Sequence, residues 1–365
     1  MSMKKFCVFC GSPPKNKNKE HVLPRWLIKL TGDPKRVGKF GIDFTKKEFG
    51  VRQFSFDSLK FPACSECNSN FGILEAAAEQ VVRKFLSQQA VSTCDLILFL
   101  DWLDKVRVGM WLAYFYLDKN IAGIKPSFHI IQRLGKYDRM LGIVKLEDST
   151  PRLTFSGTDS KFYQCSPTCI GLGINGFYFI SASGVSLCSQ RLGFPYLRPD
   201  SIREKDHKML ILREAGSGRA MYPVERTSSP NGMTLIYQPV FRMFLEAEDA
   251  EQYLANDWVK KHTADYERGF GKLFLQSNHS VHVYPDGDSL DWLPSQAWKN
   301  WELVSRLPGY IYGRLRRDYE GAIALYSSKD DRKHNRKEAM MARMVDKVML
   351  ERIEREAARL RSKAI

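Results

Sequence analysis

The 365-residue sequence lacks any long apolar run that is free of charge, which argues against a helix spanning a membrane. Its most apolar stretch, residues 96–117, is interrupted near the middle by Asp101, Asp104, Lys105 and Arg107, the mark of a buried helix in a protein with no membrane partner. No apolar segment follows the first positive charges, so a secretory signal is not expected and the cytoplasm is the expected compartment. Cysteine is scarce, with eight residues in all. In a reducing compartment these do not form a disulfide framework, and closely spaced pairs become metal-site candidates. The sequence also lacks a repeat of fixed period and any low-complexity tract. Acidic residues are in deficit, 41 against 56 Lys and Arg, giving a net charge of +15. The excess is uneven: residues 1–60 hold fourteen Lys or Arg and five acids, which favours a phosphate-facing surface at that end.

Two cysteine pairs are present, Cys7-Val8-Phe9-Cys10 and Cys64-Ser65-Glu66-Cys67. CxxC spacing lets one tight turn aim two thiolates at one cation, and two such turns form a closed tetrahedral zinc site. Four thiolates leave no position for water or substrate, so zinc is expected to be structural. The 53 residues between Cys10 and Cys64 contain Lys19-Glu20-His21-Val22-Leu23-Pro24, and Asn68 directly follows the last cysteine.

With Cys7, Cys10, Glu20, His21, Pro24, Cys64, Cys67 and Asn68 in this order, the sequence resembles the HNH, or ββα-metal, endonucleases, in particular those with two zinc knuckles. The resemblance covers about one fifth of the chain. It implies hydrolysis of nucleic-acid phosphodiester bonds, with a catalytic Mg²⁺ or Mn²⁺ held by Glu20 and Asn68 and with 5′-phosphate products. It also suggests a role in bacterial defence or a mobile element. The residues suit that chemistry on their own terms. His21 can accept a proton from water at neutral pH, Glu20 and Asn68 offer hard oxygen ligands, and a divalent cation would neutralise charge building on the phosphate. The rival expectation is a non-catalytic zinc-knuckle protein that binds nucleic acid with a vestigial histidine.

The sequence departs from the family pattern in two respects, and one is that the acidic position is Glu20 where many members carry Asp, a longer side chain that can still reach a metal. Members often carry a middle Asn that restrains the histidine by bonding its backbone, but no Asn occurs from Val22 to Ala63. That role is vacant, moved to Asn70, or taken by Gln53. Glu75, about two helical turns beyond Asn68, is expected to be a solvated helix residue, with support of the site as the alternative. Lys15, Lys17 and Lys19 in the loop before the histidine, with Arg25 and Lys29 after it, are expected to position phosphates of DNA in preference to RNA. Arg314, Arg316 and Arg317, interleaved with Tyr310, Tyr312 and Tyr319, are a second candidate contact, for which a strand with a basic outer face is the plain alternative.

Alternating apolar positions predict strands around Phe40–Phe44 and Phe54–Phe56, and helical spacing predicts a helix through Phe71, Leu74, Ala78, Val81 and Phe85. Short β-rich runs, among them residues 142–146, 177–180 and 233–237, then dominate up to about residue 244. Gly171 to Gly176 matches the dinucleotide fingerprint but is followed by a strand-like run, so a turn is expected there. The expected fold class is α+β. A zinc-stapled ββα-metal nuclease module spans 1–90, a larger mixed helical and β-rich domain spans 91–330, and a basic amphipathic helix spans 331–365. That last helix is open to packing on the body, pairing with a second copy or a regulatory protein, or lying along nucleic acid.

Overall fold

A computed structural model of the chain describes residues 5–43, 50–117, 123–146, 150–198, 202–205, 209–212, 215–221, 224–225, 232–245, 251, 254–277, 280–285, 300–326 and 328–363. The N-terminal unit comprises β1 (Asn18–His21), α1 (Arg25–Leu30), β2 (Val37–Asp43), β3 (Gly50–Ser55), β4 (Lys60–Ala63) and α2 (Ser65–Leu86). The two expected strands are present as β2 and β3, which pair antiparallel, with Phe44 outside the described residues and Phe56 just past β3 in a short 3-10 turn. They are not the pair that carries the histidine. Lys19, expected in the loop before the histidine, lies with Glu20 and His21 in β1, which runs antiparallel to β4 with Asn18 opposite Ala63 and His21 opposite Lys60. β2 and β3 are thus an insertion between the two strands that matter. Alternation along β1 is hard to read in sequence because four residues give only two on each face.

The helix α3 (Thr93–Tyr116) begins at a capping box between Ser92 and Asp95. It is buried on all sides from Phe99 to Tyr114, so its four central charges must find partners inside the protein. Each does. Arg107 pairs with Asp104 at 2.6 Å and donates to the Pro167 carbonyl and Ser181 hydroxyl, while Asp101 pairs with Arg139 and Arg268. Lys105 points the other way, into the N-terminal unit, where it meets Glu20 and Glu75.

The rest of the chain is organised by an antiparallel sheet of seven strands. They are β5 (Asp138–Lys145), β6 (Leu153–Ser156), β7 (Cys169–Ile174), β8 (Phe177–Gly184), β9 (Thr234–Gln238), β10 (Phe274–Ser277) and β11 (Ser280–Val283), in the order β11-β10-β9-β5-β8-β7-β6. Phe179 on β8 packs against Phe85 of α2 and Phe99 of α3. On the opposite face, Tyr310 of a long helix reaches Met140 of β5. Burial on both faces explains the near-continuous apolar runs in β5, β7 and β8. The glycine-rich stretch 171–176 is the end of β7 and its turn into β8, with Asn175 at φ 50°. Gly171 is required there because a Cβ would collide with the Tyr178 hydroxyl and with Ile311.

Residues expected to present rings and cations to nucleic acid lie on α5 (Asn300–Tyr326), neither a strand nor a stacking platform. Helical spacing turns Tyr310, Tyr312 and Arg314 inward, where they are buried and Arg314 pairs with Glu225. Arg314 is therefore a structural cation, a correction to its reading as a phosphate contact. Arg316 and Arg317 remain exposed.

The final described helix, α6 (Lys329–Lys363), packs along α5 and on the short helix α4 (Lys161–Cys165). Its buried carboxyl Asp346 accepts from Ser160 Oγ at 3.0 Å, and the second oxygen of that carboxyl is buried without a partner in the protein. Burial pushes its pKa up to about 7 against the pull of Ser160, and nearby Asp159 raises it further. A folded-state value above the ordinary carboxyl value means that the native state holds more protons between about pH 4 and 7, so stability falls as pH rises through that window. Asp346→Asn keeps an acceptor for Ser160 and removes the buried charge. It is expected to stabilise the protein by about 2 kcal/mol at pH 8 and to leave pH 4 stability nearly unchanged. Thermal melts of both proteins at the two pH values check this, and an equal effect at both would refute it.

Candidate functional site

The two cysteine turns converge. All four Sγ atoms of Cys7, Cys10, Cys64 and Cys67 lie within 4.8 Å of one another, with Cys10 and Cys64 at 4.0 Å. Thiolates about 2.3 Å from a zinc ion in a tetrahedron stand roughly 3.8 Å apart, so the four cysteines can hold one zinc ion. Main-chain N–H groups already point at the sulfurs: Cys64 N donates to Cys7 Sγ at 3.3 Å and Lys15 N to Cys64 Sγ at 3.4 Å. Burial, followed by the charges of Cys7 and Cys10, pushes the Cys67 thiol up to about 12. Four crowded thiols cannot all ionise unless a cation sits among them, which is the electrostatic signature of such a centre.

The sulfur site locks a strand to a helix. Cys64 follows the last residue of β4 and is the N-cap of α2, while Cys7 and Cys10 lie in the turn whose backbone meets β4 at Val8 N to Pro62 O, 3.0 Å. α2 packs against β1, so the segments bearing Glu20-His21 and Asn68 are neighbours. His21 closes β1 and is half-buried. Asn68 lies in the first turn of α2 with its Oδ1 buried and without a hydrogen-bond partner in the protein. Asn70, two residues on, is exposed and lines a cleft of about 690 Å³ between α2 and α3.

Glu20 departs most from the expectation of an open metal ligand. It is 6% exposed, and its Oε1 accepts from Lys105 Nζ at 2.5 Å. Glu75, expected to be solvated, meets the same ammonium at 2.5 Å. Burial raises the Glu20 carboxyl, Lys105 opposes that shift and Glu75 reinforces it. For Lys105, burial favours the neutral amine, but Glu20 and Glu75 outweigh it and hold the pKa above the ordinary value. The same nitrogen donates to the carbonyls of His21 at 3.2 Å and Val22 at 3.3 Å. Lys105 stands outside the residues that the sequence singles out for the site. Its signal, a lysine inside a buried apolar helix, was legible, but its partners lie 30 to 85 residues away.

Of the two oxygen donors expected to hold Mg²⁺ or Mn²⁺, Asn68 fits, because its carbonyl oxygen lacks a partner. Glu20 is engaged by Lys105 through Oε1. Among the described residues, the four cysteines are the one group of three or more His, Cys, Asp or Glu side chains placed to share an ion. Lys15, Lys17, Lys19, Arg25 and Lys29 are all exposed. No described helix is long and apolar enough to cross a membrane.

No protein-family model, curated protein or solved structure matches the chain. Fold and site together define a mixed α/β protein in which a four-cysteine cluster, able to bind zinc, joins a two-stranded ribbon to a helix.

Proposed function

We propose that this protein is a metal-dependent nuclease of the HNH type, with a structural zinc at Cys7, Cys10, Cys64 and Cys67 and with His21 as general base. The observation that carries the reading is the order β1, β4, α2 around the cysteine site. It sets His21 at the end of one strand and the unpartnered Asn68 oxygen in the first turn of the adjacent helix. His21 would take the proton of the attacking water. Asn68 is the oxygen available to a Mg²⁺ or Mn²⁺ ion, which would supply charge neutralisation at the phosphate. The exposed Lys15, Lys17, Lys19, Arg25 and Lys29 would hold the backbone of DNA without reading its sequence.

A second reading, a zinc-knuckle nucleic-acid-binding protein without catalysis, is favoured by one fact: the Glu20 carboxylate is buried and already paired with Lys105, which it shares with Glu75. Incubation with plasmid, single-stranded DNA and RNA, in Mg²⁺ or Mn²⁺ and in EDTA, separates the two. The nuclease reading expects cleavage that EDTA stops and that His21→Ala lowers by at least about 100-fold while binding persists. Retention of DNA with no cleavage by either protein would establish the binding reading instead. Undiminished cleavage by the alanine variant would remove His21 from the chemistry.

A further inference from the structure

The peptide that carries His21 is held in place by α3. Lys105 Nζ lies against four oxygens, two from Glu20 and Glu75 and two from the main-chain carbonyls of His21 and Val22. An ammonium has three N–H donors, so at least one is shared, and the nitrogen is fixed from every side. One turn further along α3, Gly109 makes room for the same segment: a Cβ there would stand 3.0 Å from Val22 Cγ1. One turn back, Trp102 packs on Trp26 of α1 with ring centroids 5.8 Å apart. Positions 102, 105 and 109 are three and four apart and share one helix face. That face receives the chain from Glu20 to Trp26 as a unit, where the strand ends and α1 begins.

We propose that Lys105, with Gly109 as its steric complement, is the positioning residue of His21. It fixes the two consecutive peptide planes that follow the His21 Cα and so sets the direction in which the imidazole leaves β1. A buried charge serves here where an apolar side chain would fill the same space, because an apolar side chain cannot bind the two carbonyls, and burying an ammonium with two carboxylates brings no general stability advantage over well-packed apolar residues. The restraint sought in Asn70 or Gln53 is thus provided by a residue 84 positions downstream of His21. Gln53 instead stands opposite Lys39 in the inserted hairpin. The inference rests on the reading of His21 as the base, and its test separates the two.

Two variants of the full chain are compared with the wild type: Lys105→Met combined with Glu75→Gln, which removes the ammonium and one of its counter-charges, and Gly109→Ala, which leaves every charge in place and presses on Val22. Zinc content, DNA retention, the single-turnover cleavage rate in Mg²⁺, and the Cε1–H resonance of His21, assigned by its loss in His21→Gln, are measured. Both variants are expected to keep zinc and to hold DNA within about 2-fold, while the rate falls about 100-fold in the first and about 10-fold in the second. The His21 resonance is expected to broaden or split in both, with those of His129 and His262 unchanged. A purely structural role would lower the melting temperature and leave that resonance single. An unaltered His21 resonance, or an unaltered rate in a protein that cleaves, overturns the proposal. If the first variant does not fold, Gly109→Ala decides. If the wild type does not cleave, the nuclease reading falls and the resonance alone decides the positioning role.

Discussion

Cys64→Ala is expected to release the metal and unfold the N-terminal unit, the largest single-residue effect foreseen for this protein. Cys64 is at once a sulfur of the four-cysteine site, the N-cap of α2, the acceptor of Lys15 N and the donor through its own N–H to Cys7 Sγ. Structural zinc contributes on the order of 10 kcal/mol to folding in small domains, more than a unit of this size can replace by burying apolar surface. Zinc should fall from about one ion per chain to below about 0.1. Hydrogen exchange of β1 and β4 should approach the unfolded rate, while β5 and β9, paired at the centre of the seven-stranded sheet, stay protected. A variant that kept its zinc, or kept slow exchange in β1 and β4, would show that the cysteines are not what holds the unit together.

The second large effect is expected at Arg139, in the polar network between α3 and the sheet. Its guanidinium is 1% exposed, donates to Gln238 from two nitrogens, pairs with Asp101 and lies 4.6 Å from the Phe270 ring centroid. Arg139→Met would leave the Asp101 carboxylate to Arg268 alone, whose side chain is 43% exposed. Removing one partner of a buried pair costs about 3–5 kcal/mol, because the remaining charge is stranded away from water. The double variant Arg139→Met, Asp101→Asn should recover much of the loss. Denaturant unfolding of both variants checks this, and equal destabilisation by the single and double changes would mean that packing, not charge, sets the cost.

The two predictions bear on one architectural point. α3 reaches the N-terminal unit through Lys105, and it reaches the sheet through Asp101 and Asp104 to Arg139 of β5 and through Arg107 to Ser181 of β8, so the helix that bonds the His21 carbonyl is itself anchored by buried polar contacts with the sheet. The boundary expected near residue 90 separates neither packing nor charge. Phe6 packs on Phe115 at 5.0 Å, and Val8 and Phe9 accept backbone bonds from Ile130 and Ile131. A loosened sheet network is therefore expected to be felt at His21, and the Arg139 variant would show it as a change in the His21 resonance.

The four-cysteine cluster could be read without coordinates, because its information is local. CxxC spacing is a property of one turn, and the order Cys pair, Glu20-His21, Cys pair, Asn68 survives any folding of what lies between. The buried character of α3 was also legible, since four charges in an apolar run must be paired inside a protein. What the residues could not reveal was which charges pair with which. A carboxylate attracts any nearby cation, and only the packing of α3 decides that Glu20 and Glu75 both face Lys105. The same limit explains the misread Arg314 of α5: composition places arginine beside tyrosine, but helical periodicity and a neighbouring sheet turn Arg314 inward and leave Arg316 and Arg317 outside. The sequence by itself determined that four sulfurs could meet and which polar side chains stand beside them in the chain. The tertiary structure alone decided how each of them is held, because electrostatic and hydrogen-bond partners are set by distance in space, and these lie tens of residues apart along the chain.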